Sequence, residues 1–227
     1  MKDHKTVIPL FPEERIPDKR EEFLPRVWES AENLTSSEDD VRMQALENLV
    51  ALDAHRYSPL VAYILATRLR DPNLEVRFHV VQAVGEVLLL RGGGDPIPEI
   101  VRYHLQGYIS QMRKRKVYAL LQVAQQFGAA EESVVAIFNL CSYAGAALEE
   151  IFLDRKMPHA IRQQAIFFSG QVGFMDTIPS LKNLLHRIQA QHEDQAHLPF
   201  LSKADHNQEG DLIIYVRAAL GKLDGKE

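Results

Sequence analysis

Apolar residues recur at helical spacing almost without interruption from Glu21 onward. The alternation of apolar and polar residues that marks half-buried strands is missing from the sequence. Ahead of this region, Pro9, Pro12 and Pro17 stand among mixed charges and show no helical period. The pattern therefore predicts an all-α domain over residues 21–223, preceded by an extended, poorly ordered arm at residues 1–20.

One short motif recurs through the helical region. It consists of an aliphatic residue, then Arg, with a small or β-branched residue four positions after the aliphatic one. The motif occurs in full beginning at Val41, Val76 and Ile161, and weaker copies begin at Arg115 and Leu212. Self-similarity of this kind is the signature of a stack of supersecondary units, so each copy is expected to open one helix of a repeating unit.

Prolines precede most of these helices at a nearly constant distance. Pro25, Pro59 and Pro98 stand 25, 26 and 26 residues before the ninth position of the motif that follows them, and Pro179 precedes the last copy. Proline suits the first turn of a helix, where its missing N–H removes no hydrogen bond. Each unit is therefore predicted to be a helical hairpin. The five predicted units are residues 21–55, 58–91, 96–128, 131–174 and 177–223.

The fourth and fifth units depart from the regular spacing. Between Glu131 and Pro158 the pattern allows either one long helix kinked around Gly145 or two short helices. In the fifth unit, the polar stretch 192–210 is predicted to be a loop inserted between two helices.

Paired helices with a proline at the start of the first and an aliphatic-Arg motif at the start of the second resemble HEAT repeats. The short Val-Arg-x-x-Ala-x-x-x-Leu-Gly type of helix is similar to that of bacterial stand-alone HEAT proteins, including the phycobilisome-lyase-like group. The resemblance covers roughly residues 21–223. It implies an α-α superhelix, an elongated right-handed solenoid of about five helical hairpins.

The resemblance also implies a ladder of ion pairs, in which an Asp in the turn of a hairpin pairs with the Arg of a second helix. Such a pair suits a helix N-terminus, where a carboxylate is favoured and a bidentate Arg can bridge neighbours. Ordinary N-capping by the same aspartates is the alternative. The candidate pairs are Asp39 or Asp40 with Arg42, Asp71 with Arg77, and more loosely Asp154 with Arg162.

The repeat register predicts which side chains of the second helices point outward. Positions four, five, eight and nine after the aliphatic start are expected to be buried, and positions two, three, six and ten are expected to be exposed. Aromatic and amide groups with few charges are typical of a protein-binding surface. The candidate partner-binding residues are Gln44, Glu47, Phe78, His79, Gln82, Tyr118, Leu121, Gln125, Gln164, Phe167, Gln171 and Tyr215. In the alternative register, rotated by one position, Phe78, Phe167 and Tyr215 pack in the core.

Charge argues against a dedicated nucleic-acid binder, because 26 Lys and Arg against 31 Asp and Glu leave a net charge of -5. The dense basic run, Arg113 to Lys116, is interpreted as a solvated turn, with phosphate binding as the alternative. The longest apolar runs are too short to cross a bilayer, so we expect no membrane association and a cytoplasmic location.

No catalytic, metal-binding or cofactor-binding arrangement is predicted. The single cysteine, Cys141, lies in an apolar segment and is expected to be a buried small hydrophobe. Acidic and histidine residues crowd the fifth unit, but His186, His192 and His197 lack the i, i+4 spacing of a helical metal site.

These observations lead to a functional hypothesis: a non-catalytic HEAT-repeat scaffold that binds another protein on its concave face. The alternative is an enzyme or accessory factor on the same fold, either a phycobilin-lyase-like chaperone or a DNA glycosylase-like nucleic-acid binder. The sequence leaves the identity of the partner and the oligomeric state open.

Overall fold

The computed structural model describes residues 20–89, 97–196 and 206–225, with side chains described for 24–89, 97–190 and 209–225. The described residues form twelve α-helices and no strand, which confirms the prediction of an all-α protein. The predicted N-terminal arm, apart from Arg20, lies outside the described residues. The helices are α1 (Arg20–Asn33), α2 (Asp39–Ala51), α3 (Ala54–Tyr57), α4 (Pro59–Thr67), α5 (Leu74–Leu89), α6 (Glu99–Ser110), α7 (Lys114–Gln126), α8 (Glu131–Leu140), α9 (Ala144–Leu153), α10 (His159–Val172), α11 (Ile178–Ala196) and α12 (His206–Leu223).

The helices divide into two compact units. The first unit contains α1 to α6 together with α8 from residue 132 onward. The second unit contains α7 and α9 to α12.

In the first unit, helices pair as the hairpin pattern predicts. Helix α1 packs on α2, and α4 packs on α5. The second helices α2 and α5 also contact each other, and so do α4 and α6. Leu49, Val80 and Leu105 are among the core residues of this unit that are completely buried. Burying each such side chain contributes about 1.5–3 kcal/mol to folding, so the apolar faces of the helices hold the unit together.

The prolines mark helix starts in three of the four predicted places. Pro59 is the first residue of α4, where the Ser58 hydroxyl caps the helix by accepting a hydrogen bond from the Val61 N–H. Pro98 immediately precedes α6, and Pro179 is the second residue of α11. Pro25 is the exception, because α1 begins five residues earlier at Arg20. A proline at the sixth helical position removes one intrahelical hydrogen bond, since the first four N–H groups have no partner in the helix.

In the second unit, α10 occupies a central place. It packs against α9, α7 and α12, and α11 packs against α12. Phe152 of α9, Phe168 of α10 and Leu184 of α11 are completely buried in this core. Gly173 ends α10 in the left-handed region, at φ 86°, which a residue with a side chain rarely adopts.

The irregular fourth predicted unit contains three helices. A break at residues 141–143 separates α8 from α9, so the structure has the two short helices rather than one long kinked helix. Gly145 lies inside α9 and is not the break. A Cβ at Gly145 would come within 3.3 Å of two atoms of the Phe174 ring, so close packing explains the glycine there.

The predicted loop of the fifth unit is shorter than the sequence pattern suggested. Helix α11 continues to Ala196 and α12 begins at His206, so both ends of the stretch 192–210 are helical. Charged and amide residues such as those in this stretch have good helix propensity. The polarity of the stretch was therefore a poor guide to the presence of a loop. Residues 197–205 lie outside the described part of the chain.

Two glycines at the ninth position of the repeat allow close helix crossings. A Cβ added to Gly85 would lie 2.4 Å from the Ser133 Cβ in the first unit. A Cβ added to Gly170 would lie 2.7 Å from the Ala219 Cα in the second unit. Each glycine is therefore required by packing in its own unit.

Candidate functional site

Arg42 is the centre of the predicted ion-pair ladder in the first unit. Its Nε and Nη2 atoms donate to the two carboxylate oxygens of Asp71, each at 2.8 Å. The Arg42 Nη2 atom also donates to Asp39 at 2.5 Å. The predicted partner of Asp71 was Arg77, but both oxygens of Asp71 are engaged by Arg42 of the preceding hairpin. Asp40 is exposed, and Asp39 rather than Asp40 is the acidic partner of Arg42 at the start of α2.

Asn73 completes this network and caps α5. Its side-chain oxygen accepts hydrogen bonds from the N–H groups of Glu75 and Val76, at 2.8 and 3.1 Å. Its amide nitrogen donates to Asp39 at 2.9 Å. Asp71 accepts from the Asn73 N–H at 3.0 Å, which shapes the turn before the helix. The N-cap is thus an asparagine, and both aspartates bond to this asparagine as well as to Arg42.

Arg162 forms the corresponding contact in the second unit. Its Nη1 atom donates to Glu209 of α12 at 2.6 Å, and its Nε donates to the Phe152 carbonyl at 3.0 Å. Asp154, the loosely predicted partner, instead accepts a hydrogen bond from the Lys156 N–H within its own turn. Burial opposes ionisation of Glu209, but the hydrogen bond and charge of Arg162 hold the pKa of this carboxyl below its ordinary value. Like Arg42, Arg162 therefore bonds both within its own hairpin and to the hairpin that follows it.

The predicted partner-binding residues of the first unit lie at the surface. Gln44, Glu47 and His79 are exposed, and Phe78 and Gln82 are half-buried. The Phe78 and His79 rings meet edge-to-face with centroids 5.2 Å apart. The outward positions of α2 and α5 therefore form a mixed aromatic and polar surface.

Six of the seven predicted residues in the second unit also reach the surface. Gln125, Gln171 and Tyr215 are exposed. Tyr118, Gln164 and Phe167 are half-buried.

Leu121 is the exception, and its predicted exposure is wrong. Its side chain is completely buried, as is that of Val117 one helical turn earlier. Helix α7 is contacted by both α9 and α10, so its buried face is wider than that of a helix packed on one side. Positions two and six of this copy therefore face the core.

The alternative register, rotated by one position, predicts three aromatic residues in the core, and the structure contradicts it because none of the three is fully buried. Tyr215 is 38% exposed, and Phe78 and Phe167 are half-buried. The completely buried aromatic residue on α10 is Phe168, whose ring meets that of Phe167 at 5.2 Å. The motif start at Ile161 therefore has the register predicted first.

A cavity of about 280 Å³ opens on the first unit, between α2 and α5 with one residue from α8. We refer to it as the α2–α5 pocket. Three of the predicted partner-binding residues, Glu47, His79 and Gln82, line its polar side. Its complete lining is Leu46, Glu47, Val50, His79, Gln82, Ala83, Glu86, Leu89 and Ser133.

Two buried side chains lie behind the pocket, against Glu86. The Arg56 Nη1 atom lies 3.3 Å from Oε1 of Glu86, and the His55 Nε2 atom lies 3.6 Å from Oε2. His55 is 1% exposed and Arg56 is 7% exposed, both on the short helix α3. Burial lowers the pKa of His55 below its ordinary value of 6.5, although the Glu86 and Asp53 carboxylates oppose this shift. Sequence reasoning missed this pair, because a four-residue helix has too little periodicity to reveal a buried face.

The basic run is partly engaged by other groups of the second unit. The Arg113 guanidinium lies over the Tyr143 ring, 3.3 Å from its centroid, in a cation–π contact. Lys114 pairs with Glu150 at 3.2 Å. These contacts reduce the charge that the run presents to a phosphate chain.

The described residues contain no candidate metal site, and their one cysteine is buried. No group of three His, Cys, Asp or Glu side chains comes together there, while the side chains of His192 and His197 lie outside the described part. Cys141 is buried, as predicted, and its Sγ lies 3.7 Å from the Met112 carbonyl oxygen. Burial raises the pKa of the Cys141 thiol, which disfavours the reactive thiolate.

Exposed apolar side chains also occur on the first helices, outside the predicted binding surface. The i, i+3 spacing of the pairs on α4 and α6 was the available signal. In the first unit these residues are Trp28, Leu60, Tyr63, Ile100 and Tyr103.

Among the described residues, no single helix is both long and apolar enough to cross a membrane. One bent pair, Gly128–Leu140 with Ala144–Leu153, meets the length and composition criteria jointly. Phe138 and Ile151 in this pair are completely buried in the protein core.

No protein-family model, curated protein or solved structure matches this chain. The resemblance to HEAT repeats therefore rests on the motif and on the helix pairs described above.

Proposed function

We propose that this protein is a non-catalytic scaffold of HEAT-like helical hairpins that binds another protein on the outward surface of its second helices. The observation that carries the proposal is that aromatic and amide side chains reach the surface at the repeat positions of α5 in the first unit and, separately, of α10 in the second unit. On α5 these side chains include Phe78 and Gln82, and on α10 they include Gln164, Phe167 and Gln171. Surfaces that combine aromatic anchors with amides and few charges are typical of protein interfaces.

The arrangement of second helices supports the proposed solenoid. In the first unit α2 contacts α5, and in the second unit α10 lies between α7 and α12. Such nearest-neighbour packing of successive second helices is what a repeat stack requires. The prediction to be tested is a right-handed superhelix, and small-angle scattering checks it: an elongated particle supports the proposal, and a compact one contradicts it.

Site-specific cross-linking tests the binding surface. We propose placing a photo-reactive benzoylphenylalanine at Gln82 and at Phe167, with Tyr103 on α6 as the matched control. Tyr103 is 68% exposed but lies on a first helix. The proposal expects one protein to be cross-linked from Gln82 and Phe167 and not from Tyr103. Cross-linking from Tyr103 alone would move the surface to the first helices.

The affinity of the captured protein provides the quantitative test. A Phe167→Ala change should weaken the complex by about 1–3 kcal/mol if Phe167 is an anchor of the interface. Reversing the charges of Arg113 and Lys114 should leave it nearly unchanged at physiological salt, because exposed charges are screened. Salt-dependent binding of nucleic acid that is lost on charge reversal would instead favour the nucleic-acid alternative.

A further inference from the structure

The α2–α5 pocket has the size of a site for one side chain. Its volume of about 280 Å³ lies just below the range of about 300–1,000 Å³ that small-molecule and cofactor sites occupy. It opens on the surface where Glu47, His79 and Gln82 are predicted to meet a protein partner. A single protruding side chain of that partner fits this space better than a cofactor does.

The lining of the pocket separates into an apolar part and an acidic part. The lining contains two carboxylates, those of Glu47 and Glu86, and no lysine or arginine. Gln82 adds an amide that can accept a hydrogen bond. The apolar part can cover a hydrocarbon stem while the carboxylates meet a cationic head. The apolar part consists of Leu46, Val50, Ala83 and Leu89.

The Glu86 carboxylate is oriented before any ligand arrives. Arg56 and His55 lie against its two oxygens from the buried side, at 3.3 and 3.6 Å. Arg56 offsets one negative charge, but Glu47 is exposed and keeps its own, so the pocket mouth remains acidic. An acceptor held in place loses less conformational entropy on binding than a mobile one does.

Other occupants fit this chemistry poorly. An anionic group would face two carboxylates, and an apolar side chain would take water from Glu86 without supplying a donor, which is unfavourable. A guanidinium or ammonium group supplies donors to a carboxylate, and charge-assisted hydrogen bonds are the strong ones.

We propose that the α2–α5 pocket is a specificity site that accepts a basic side chain, arginine or lysine, of the protein partner. This inference rests on the proposed function, because it assumes that the basic group is part of a protein. It adds a requirement for the protein partner, which has to present a basic side chain to α2 and α5.

Small model compounds test the pocket on the full-length protein without the partner. The probes are N-acetyl-arginine methylamide, the corresponding lysine compound, and the citrulline compound, which is a neutral isostere of arginine. Backbone amide shifts of pocket residues such as Gln82 and Ala83 report binding in an NMR titration. The arginine or lysine probe should produce saturable shifts there, and the citrulline probe should bind about tenfold or more weakly, because it loses the charge assistance.

Three glutamate variants connect the binding to the pocket. Glu86→Gln and Glu47→Gln should each weaken the binding of the basic probe, Glu86→Gln by about tenfold. Glu75→Gln, an exposed position on α5 outside the pocket, is the matched control and should change the affinity less than about twofold. Glu86 contacts the buried Arg56, so thermal melting checks that Glu86→Gln still folds. Glu47 is exposed, so Glu47→Gln tests the pocket even if Glu86→Gln unfolds.

The outcomes separate this inference from the proposed function. Equal binding of arginine and citrulline probes, no pocket shifts, or unchanged affinity in both pocket variants overturns the basic-side-chain site. If a protein is cross-linked from the second helices but its affinity is unchanged by Glu47→Gln and Glu86→Gln, the scaffold function stands and this site is wrong. If the basic probe binds as expected and no protein is cross-linked, the pocket chemistry is supported and the scaffold function fails.

Discussion

Arg42 and Asp71 form a doubly hydrogen-bonded ion pair between the second helix of one hairpin and the turn of the next. Nε and Nη2 of the arginine each lie 2.8 Å from a different carboxylate oxygen. The two side chains are 4% and 0% exposed, so the pair is shielded from water. The remaining donor of Arg42, Nη1, bonds to the carbonyls of Ser36 and Ser37, each at 3.0 Å. Arg42 therefore connects three segments of the chain: the turn before α2, α2 itself and the turn before α5.

Removing Asp71 should strongly destabilise the first unit. We expect Asp71→Ala to lower the free energy of unfolding by about 3–5 kcal/mol, because the buried Arg42 charge loses its buried partner and keeps only the exposed Asp39. Asp40→Ala is the matched control, since Asp40 lies exposed at the start of α2. It should cost less than about 1 kcal/mol. Urea denaturation measures both, and equal losses would contradict the role given to Asp71.

Glycine-to-alanine changes should have opposite effects at a close helix crossing and at an open position of a helix. Gly170→Ala should destabilise the protein by about 1–3 kcal/mol, because its Cβ would lie 2.7 Å from the Ala219 backbone. Gly85→Ala should do the same against Ser133. Gly107→Ala in α6 is the control, where no atom lies within 4 Å of the added Cβ. It should stabilise by about 0.5–1 kcal/mol, since alanine is the better helix former. Thermal or chemical denaturation gives the sign directly.

The buried His55 predicts a loss of stability in mild acid. Its pKa in the folded protein is below the ordinary 6.5, so the unfolded chain takes up the proton first as the pH falls. The stabilisation is therefore complete above about pH 6.5 and is lost as the pH falls towards the folded-state pKa. Glu86, Asp53 and Arg56 are the charged groups that act on it.

The comparison of two variants isolates this effect from other titrations. His55→Gln should flatten the dependence of the unfolding free energy on pH between 7.5 and 5.5. His79→Gln, at an exposed position, is the matched control for the loss of a histidine side chain. Parallel curves for all three proteins would show that His55 does not contribute.

Two adjacent phenylalanines on α10 should respond differently to truncation. Phe168 is completely buried, so Phe168→Ala should lower the free energy of unfolding by about 3–5 kcal/mol. Phe167 is half-buried with the Lys222 Nζ 5.7 Å from its ring centroid, so Phe167→Ala should cost much less. Similar losses for the two variants would mean that Phe167 belongs to the core and would remove it from the proposed binding surface.

The features that the sequence predicted correctly are those that follow from the helical period of residues close together in the chain. Helical spacing of apolar residues predicted the all-α class, and positions four, five, eight and nine of the motif are buried on α5, from Val80 to Gly85. The small residue at position nine marks a helix crossing at both Gly85 and Gly170. A helix repeats every 3.6 residues wherever it lies in the protein, so its buried face can be inferred without knowing its neighbours.

Tertiary structure decided what depends on neighbours distant in the chain. Leu121 is buried because α9 and α10 both contact α7, and Asp71 pairs with Arg42 because α2 brings that arginine to the turn. The α2–α5 pocket includes Ser133, which follows Glu86 by more than forty residues, and a Glu86 carboxylate held by α3. None of these relations has a sequence period. Each arises because burying apolar surface sets how helices pack, and the packing then determines which polar groups meet.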